Sequence, residues 1–256
     1  MSLARDIADL GSVTSRLDTV GGSEGALSNR NLVINGSMLV DQRNEGASVT
    51  VSNGVDTFCP DRFRFTENHS GTFTIQQVSD APVGFEKSSK ITVTGTDSSL
   101  AAGEFARILQ GIEGKNIGRL NWGSANAKTC TLSFYVKSSV TGQFYISVFN
   151  SAANRTFLSG YTIDAANTWE KKTITITGDT SGTWLTTNGA GIYLMWSLGT
   201  GSTYQSNTLD AFQAGFFMAK SDQVNLAATN SATWQITGVQ IEVGETATDF
   251  EHEPHS

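Results

Sequence analysis

Thr129-Cys-Thr-Leu-Ser-Phe-Tyr-Val-Lys137 alternates: Cys130, Leu132, Phe134 and Val136 fall in one phase, and Thr129, Thr131, Ser133, Tyr135 and Lys137 in the other. Side chains leave a strand on opposite faces with period two, so this stretch reads as a strand buried on one side. The same signature recurs at Phe144/Ile146/Val148, Ile174/Ile176, Ile91/Val93 and Phe73/Ile75. Turn signals separate the runs at Thr141-Gly142, residues 177–182, Asn188-Gly189 and residues 199–202. Near the C-terminus, Trp234 and Ile236 keep one phase while Val239, Ile241 and Val243 keep the other. Gly238 stands where the phase changes, which predicts a β-bulge. Roughly ten short strands with one-sided burial predict an all-β chain, two antiparallel sheets packed as a jelly-roll β-sandwich.

Composition agrees with strands and narrows the partners. The 256 residues can bury a real core as one large all-β domain or two small ones. Charged residues make up 16%, against about a quarter in an ordinary globular chain, and Ser, Thr, Asn and Gly fill the gap. A net charge of −7 without any Lys/Arg cluster argues against nucleic acid, since neutralising phosphates needs clustered cations. No run approaches the ~20 apolar residues of a membrane span, so no membrane insertion is expected. Arg5, Asp6 and Asp9 stand where the apolar region of a signal peptide would lie, which predicts a protein made in a cytoplasm. Two cysteines are too few for a disulfide framework, and the phase of Cys130 predicts a small buried hydrophobe.

Residues 1–28 read differently from the rest. Leu3, Leu10 and Leu17 are spaced by seven, and Ile7 follows Leu3 by four, with charged residues on the other faces. This predicts a short N-terminal helix. It is either one amphipathic helix docked on its own domain or a short coiled coil supported by an oligomeric body, because a seam of two to three heptads is marginal alone. Gly21, Gly22, Ser23 and Gly25 then form a hinge. The expected organisation is an attachment and oligomerisation segment over 1–28, followed by a β-sandwich over 29–256.

Catalytic motifs are hard to find. The three histidines are His69, in a turn-like stretch, and His252 and His255 in the polar C-terminal tail. There is no HExxH or GxxxxGK[ST], so no catalytic residue and no enzyme is expected. The carboxylate pairs Asp61/Glu67 and Glu242/Glu245 read as solvated surface acids.

Aromatic residues say more. Tyr135, Tyr145 and Phe149 take the outward phase of their strands, while Trp122, Trp184 and Tyr204 lie in Gly/Ser/Asn-rich segments. Such rings can stack on the C–H face of a pyranose while nearby amides and carboxylates take its hydroxyls. The same rings could instead cover a subunit interface or a second element of the chain. Trp169, Trp196 and Trp234 are assigned to the core.

Several stretches carry a family resemblance. Asn31-Leu-Val-Ile-Asn35-Gly36-Ser-Met is similar to the opening of carbohydrate-binding-module jelly rolls, and Trp234-Gln-Ile-Thr-Gly-Val-Gln-Ile-Glu242 to their closing strand. Together with Asn121-Trp-Gly-Ser-Ala-Asn-Ala-Lys, Leu132-Ser-Phe-Tyr-Val-Lys-Ser-Ser and Phe250-Glu-His-Glu-Pro, the chain from Leu27 onward resembles tail-fibre-like proteins of tailed bacteriophages, cyanophages and marine phages especially. The resemblance implies a virion protein that binds host-surface glycan, or a structural one: a head fibre, capsid decoration or tail-assembly protein. It also implies a homotrimer that meets other virion proteins through its N-terminus. Relatives continue beyond the Phe250 segment, so whatever that extension does is not expected here. Jelly-roll sugar modules often carry one structural calcium, for which Glu242 and Asn35 are the matching positions; no other cofactor is implied.

Overall fold

In the computed structural model the described residues are 30–252. Leu3, Ile7, Leu10 and Leu17, with the expected helix and hinge, lie outside them. The alternating runs become two antiparallel sheets. One has six strands in the order β1 (Val49–Thr50), β4 (Thr72–Val78), β5 (Ser88–Gly95), β13 (Thr233–Val243), β7 (Cys130–Ser138) and β10 (Glu170–Ile176). The other has seven, in the order β12 (Phe212–Ala214), β9 (Arg155–Ile163), β8 (Gly142–Asn150), β11 (Ala190–Thr200), β6 (Phe105–Glu113), β3 (Arg64–Glu67) and β2 (Thr57–Phe58). A single helical turn, α1 (Gly114–Ile117), follows β6. The protein is an all-β jelly-roll sandwich.

The facing sides of the sheets form the core, and the residues there are those the alternation selects. Cys130, Leu132, Phe134 and Val136 meet Phe144, Ile146, Val148, Leu194 and Trp196, all essentially without solvent contact. Phe134 stands edge-on to Trp196 at 5.6 Å and to Tyr161 at 5.2 Å, the geometry that brings a positive ring edge to a negative ring face. Both cysteines are free and buried, and burial pushes the Cys59 thiol up to about 12. Trp196 and Trp234 lie in the core as expected, but Trp169 does not. It is half-buried at the surface, where its Nε1 donates to Asp80 at 3.2 Å and the Lys137 ammonium sits 5.2 Å from its ring. Its position at the start of an edge strand gives it no opposing sheet to enter.

The bulge forms where Gly238 predicts it. Pairing between β13 and β7 slips between Thr237 and Gln240, and Gly238 has φ +62°. A Cβ here would lie 2.7 Å from Phe85 Cζ and 2.9 Å from Tyr135 Cδ2, so the position needs glycine for both backbone and space. Beyond the bulge, β13 meets residues 31–37. The Asn31 Oδ1 accepts the N–H groups of Val33 and Ile241, and its Nδ2 donates to the Val239 carbonyl. The Leu32 amide donates to Ile241 O and the Val239 amide to Gly36 O. The start of the sandwich is thereby bonded to its last strand.

Phe134→Ala removes a fully buried ring and is expected to cost about 3–5 kcal/mol, read from urea unfolding at constant m. Tyr135→Ala, one residue along but half-exposed on the opposite face, should cost far less; equal losses would mean that Tyr135 is held as tightly as the core.

Candidate functional site

The outward phase of β8 and β11 is a second apolar layer. Tyr145 and Phe149 do point away from the core, yet residues 201–224 run over them and leave Tyr145 at 1% and Phe149 at 6% exposure. The Tyr145 hydroxyl donates to Asp222, and Phe149 stacks on Tyr193 at 5.0 Å and meets the edge of Phe216 at 4.9 Å. Tyr204 is half-buried in the same layer, 5.8 Å from Phe105 and from Phe216. The expectation that Tyr145 and Phe149 offer faces to a ligand is therefore corrected: a second element of the chain covers them. Period two reports the side of a sheet, not what lies on top of it.

Tyr193 is the ring at the uncovered border of this layer, and the sequence reading missed it. It is half-exposed and lies over Gly111, where a Cβ would come within 2.9 Å of its Cε1. The signal was present: Tyr193 alternates with Ile192 and Leu194, whose phase is inward.

Trp122 and Trp184 come from separate loops, and the fold brings them together at 4.8 Å, edge to face, with Phe212 5.2 Å from Trp122 and 5.4 Å from Trp184. Each indole N–H is used internally, Trp122 donating to Lys128 O and Trp184 to Asp179 and Ser181 O. Asp179 also takes both arms of the Arg155 guanidinium, at 2.6 and 2.9 Å, a bidentate pair that fixes this loop. Asn121, in the left-handed conformation at φ +53°, turns the chain into Trp122. The two indoles are largely buried, and their remaining surface lines a pocket of about 230 Å³ bordered by Ile117, Gly118, Asn121, Ser124 and Thr186. Asn121 and Thr186 are exposed at its rim. Apolar floor and amide or hydroxyl rim is a chemistry suited to a small polyhydroxylated ring.

Tyr135 lies on the outer side of the six-stranded sheet and belongs to a different cluster. Phe85 touches Tyr135 at 5.3 Å, Phe250 at 5.0 Å and His252 at 5.3 Å. The expected sugar-binding residues thus divide into three places: Tyr135 alone, Tyr145/Phe149/Tyr204 in a covered layer, and Trp122/Trp184 in one pocket.

The Glu242 and Asn35 side chains are both engaged within the chain. The Glu242 carboxylate accepts from Gln240 Nε2, Thr248 N and Thr248 Oγ1. The Asn35 amide is spent on Val40 and on Asp61 O. Among the described residues no group of three His, Cys, Asp or Glu side chains is gathered that could hold a metal.

The structure does gather Ser70, His69 and Asp97, but not as a nucleophile with its base. Ser70 Oγ donates to Asp97 Oδ2 at 2.7 Å rather than to His69. His69 Nδ1 accepts the Gly71 amide at 3.0 Å, and its Nε2 is buried without a partner. A base must reach the proton it takes, and a fully buried imidazole does not. Burial holds the His69 pKa below the ordinary imidazole value, with Asp97 and Glu104 pulling the other way. Burial likewise raises the neighbouring Glu67 carboxyl, against a hydrogen bond from the His69 amide.

No known family profile and no curated protein matches the chain. Among solved structures, it is similar to the enzymatically active domain of tailspike protein 4 of bacteriophage CBA120, at 14% identity and TM-score 0.42, over 84% of this chain and 21% of that one. It is similar also to TmCBM61 in complex with β-1,4-galactotriose, at 10% identity and TM-score 0.41, over 84% and 100% of the two chains. A family 11 carbohydrate-binding module from Clostridium thermocellum aligns at 12% identity and TM-score 0.36, over 80% and 98%.

His69 generates a pH prediction. Its folded pKa lies below the unfolded value of 6.5, so the unfolded state binds the proton more tightly. Its contribution to stability is complete above that value and is lost as pH falls below it. The melting temperature should therefore drop between about pH 7.5 and about pH 5.5, and drop less in His69→Gln, which keeps an acceptor for Gly71 without a titrating ring. Equal drops in both proteins would contradict the assignment.

Proposed function

We propose that this protein is a non-catalytic virion surface module that binds host glycan in the Trp122–Trp184 pocket. The observation that carries the reading is the joining of two tryptophans from distant loops beneath an exposed amide and an exposed hydroxyl. Loop closure over that distance costs entropy, and the Arg155–Asp179 pair anchors the loop that supplies Trp184. Its placement on a virion is supported by the phage-like stretches of sequence, which include Asn121-Trp122 itself.

The purely structural reading has one observation in its favour. Tyr145 and Phe149 are consumed in holding residues 201–224, so the outer layer of the seven-stranded sheet contributes stability rather than a stacking face. In that reading the same fold serves a head fibre, a decoration protein or a tail-assembly component, and meets other virion proteins only.

A glycan array with the full chain separates the two. Asn121→Gly, which keeps the left-handed turn but loses the side-chain amide, and Thr186→Ala should weaken binding about tenfold each. Binding to glycans that survives both changes would remove the pocket as the site, and binding to no glycan or host cell would favour the structural reading. One module is expected to bind at about millimolar, with a gain of about 10²–10⁴ when three act together. The chain is expected to be a homotrimer, assembled through its N-terminal segment. Light scattering at micromolar concentration tests this, and a clean monomer mass would rule it out.

A further inference from the structure

Arg107 is a charge that the described protein does not neutralise. It lies on the outward face of β6, opposite Thr66 of β3 and Ser197 of β11. Its guanidinium sits 4.5 Å from the Phe105 ring and 5.8 Å from Phe216, its Nη1 reaches only the Met195 sulfur at 3.7 Å, and its Nε is buried without a partner. Among the described residues no carboxylate pairs with it. Asp56 is the acid in range, and Asp56 is already taken by Arg64 and by the Thr66 hydroxyl. Arg64 itself adds a like charge. Burial and that neighbour both hold the Arg107 pKa below its usual value. Ring faces offset part of the cost of its partial burial, and a guanidinium partly withdrawn from water without a counter-ion is favoured by an added anion. An anion arriving from outside would remove the cost.

The surroundings say what kind of anion. Arg64 lies opposite Leu109, and Tyr193 opposite Gly111, so Arg107, Arg64 and Tyr193 share one outward face across three neighbouring strands. All three are half-exposed, the Arg64 guanidinium is 5.7 Å from the Tyr193 ring, and that ring, backed by Phe149, packs over Gly111, which has no side chain. Arg107 and Gly111 are four residues apart, about 13 Å along the strand. The exposed part of the guanidinium at one end takes a carboxylate, and the open edge and hydroxyl of Tyr193 at the other end meet a sugar ring. We infer that this strip of β3, β6 and β11 binds an acidic oligosaccharide, a uronate carboxylate on Arg107 and a sugar ring on Tyr193. The inference rests on the glycan-binding reading but concerns a surface separate from the Trp122–Trp184 pocket.

The test is isothermal titration of the full chain with oligomers of galacturonate, guluronate and glucuronate, each paired with its neutral methyl ester. At least one acid should bind about tenfold or more tightly than its ester. Arg107→Met keeps the aliphatic stem on Phe105 and should abolish that preference, while Tyr193→Ala should weaken acid and ester together. If Arg107→Met does not fold, Arg107→Lys and Arg64→Gln replace it: a point charge in place of the fork, or loss of the second guanidinium, should each reduce the preference several-fold. Equal affinity for every acid and its ester, an acid preference unchanged by the arginine variants, or competition by inorganic sulfate as strong as by the acid oligomers overturns the inference. Neutral-glycan binding that responds to Asn121→Gly alone, with no acid preference, would overturn this strip and keep the pocket. No binding by any of these oligomers would overturn the strip, while the glycan array decides the pocket separately.

Discussion

The closure of the sandwich centres on the side-chain amide of Asn31. Asn31 spends its side-chain oxygen on the Val33 and Ile241 amides and its nitrogen on the Val239 carbonyl, and so ties residues 31–37 along the outer length of β13. β13 lies between β5 and β7 in the middle of the six-stranded sheet, so whatever fixes it fixes the sheet. The same segment reaches the other sheet through Ile34, whose amide and carbonyl both bond the buried Gln110 side chain. Gly36 permits this course, since a Cβ there would fall 2.1 Å from the Val239 carbonyl oxygen. From the far end, Glu251 accepts the Arg30 and Asn31 amides and donates its own amide to Gln240. Buried polar groups on the outer side of β13, which would otherwise be costly, are satisfied by this arrangement.

Glu242 takes its partners from the same part of the chain: its buried carboxylate accepts from Gln240 and from the amide and hydroxyl of Thr248. Hydrogen bonds from these neutral donors offset the cost of burying it.

The seven-stranded sheet is governed by what covers it. Residues 201–224 turn the outer faces of β8 and β11 into an interior, which leaves two kinds of surface for recognition: the loops at the sheet end, where Trp122 and Trp184 meet, and the border strip, where Tyr193, Arg64 and Arg107 stay half-open. The covering segment also creates the environment of Arg107, because Phe216 belongs to it.

The strands, their buried phase, the bulge at Gly238 and the burial of Cys130 were legible in the sequence, because each follows from the local period of apolar residues or from a glycine where that period breaks. Trp122 and Trp184 were legible as loop aromatics, but not as a pair. The covering of Tyr145 and Phe149, the surface position of Trp169, the burial of His69 and the unneutralised charge of Arg107 were not legible. Each depends on residues distant in sequence, as Phe216 is from Phe149, Asp80 from Trp169, Met195 from Arg107 and Asp97 from His69. The sequence by itself determined which side of each strand faces the core, since alternation is a property of neighbouring residues. Only the tertiary structure decided which outward side chains meet water and which meet another part of the chain, since that is set by long-range packing that no local pattern encodes.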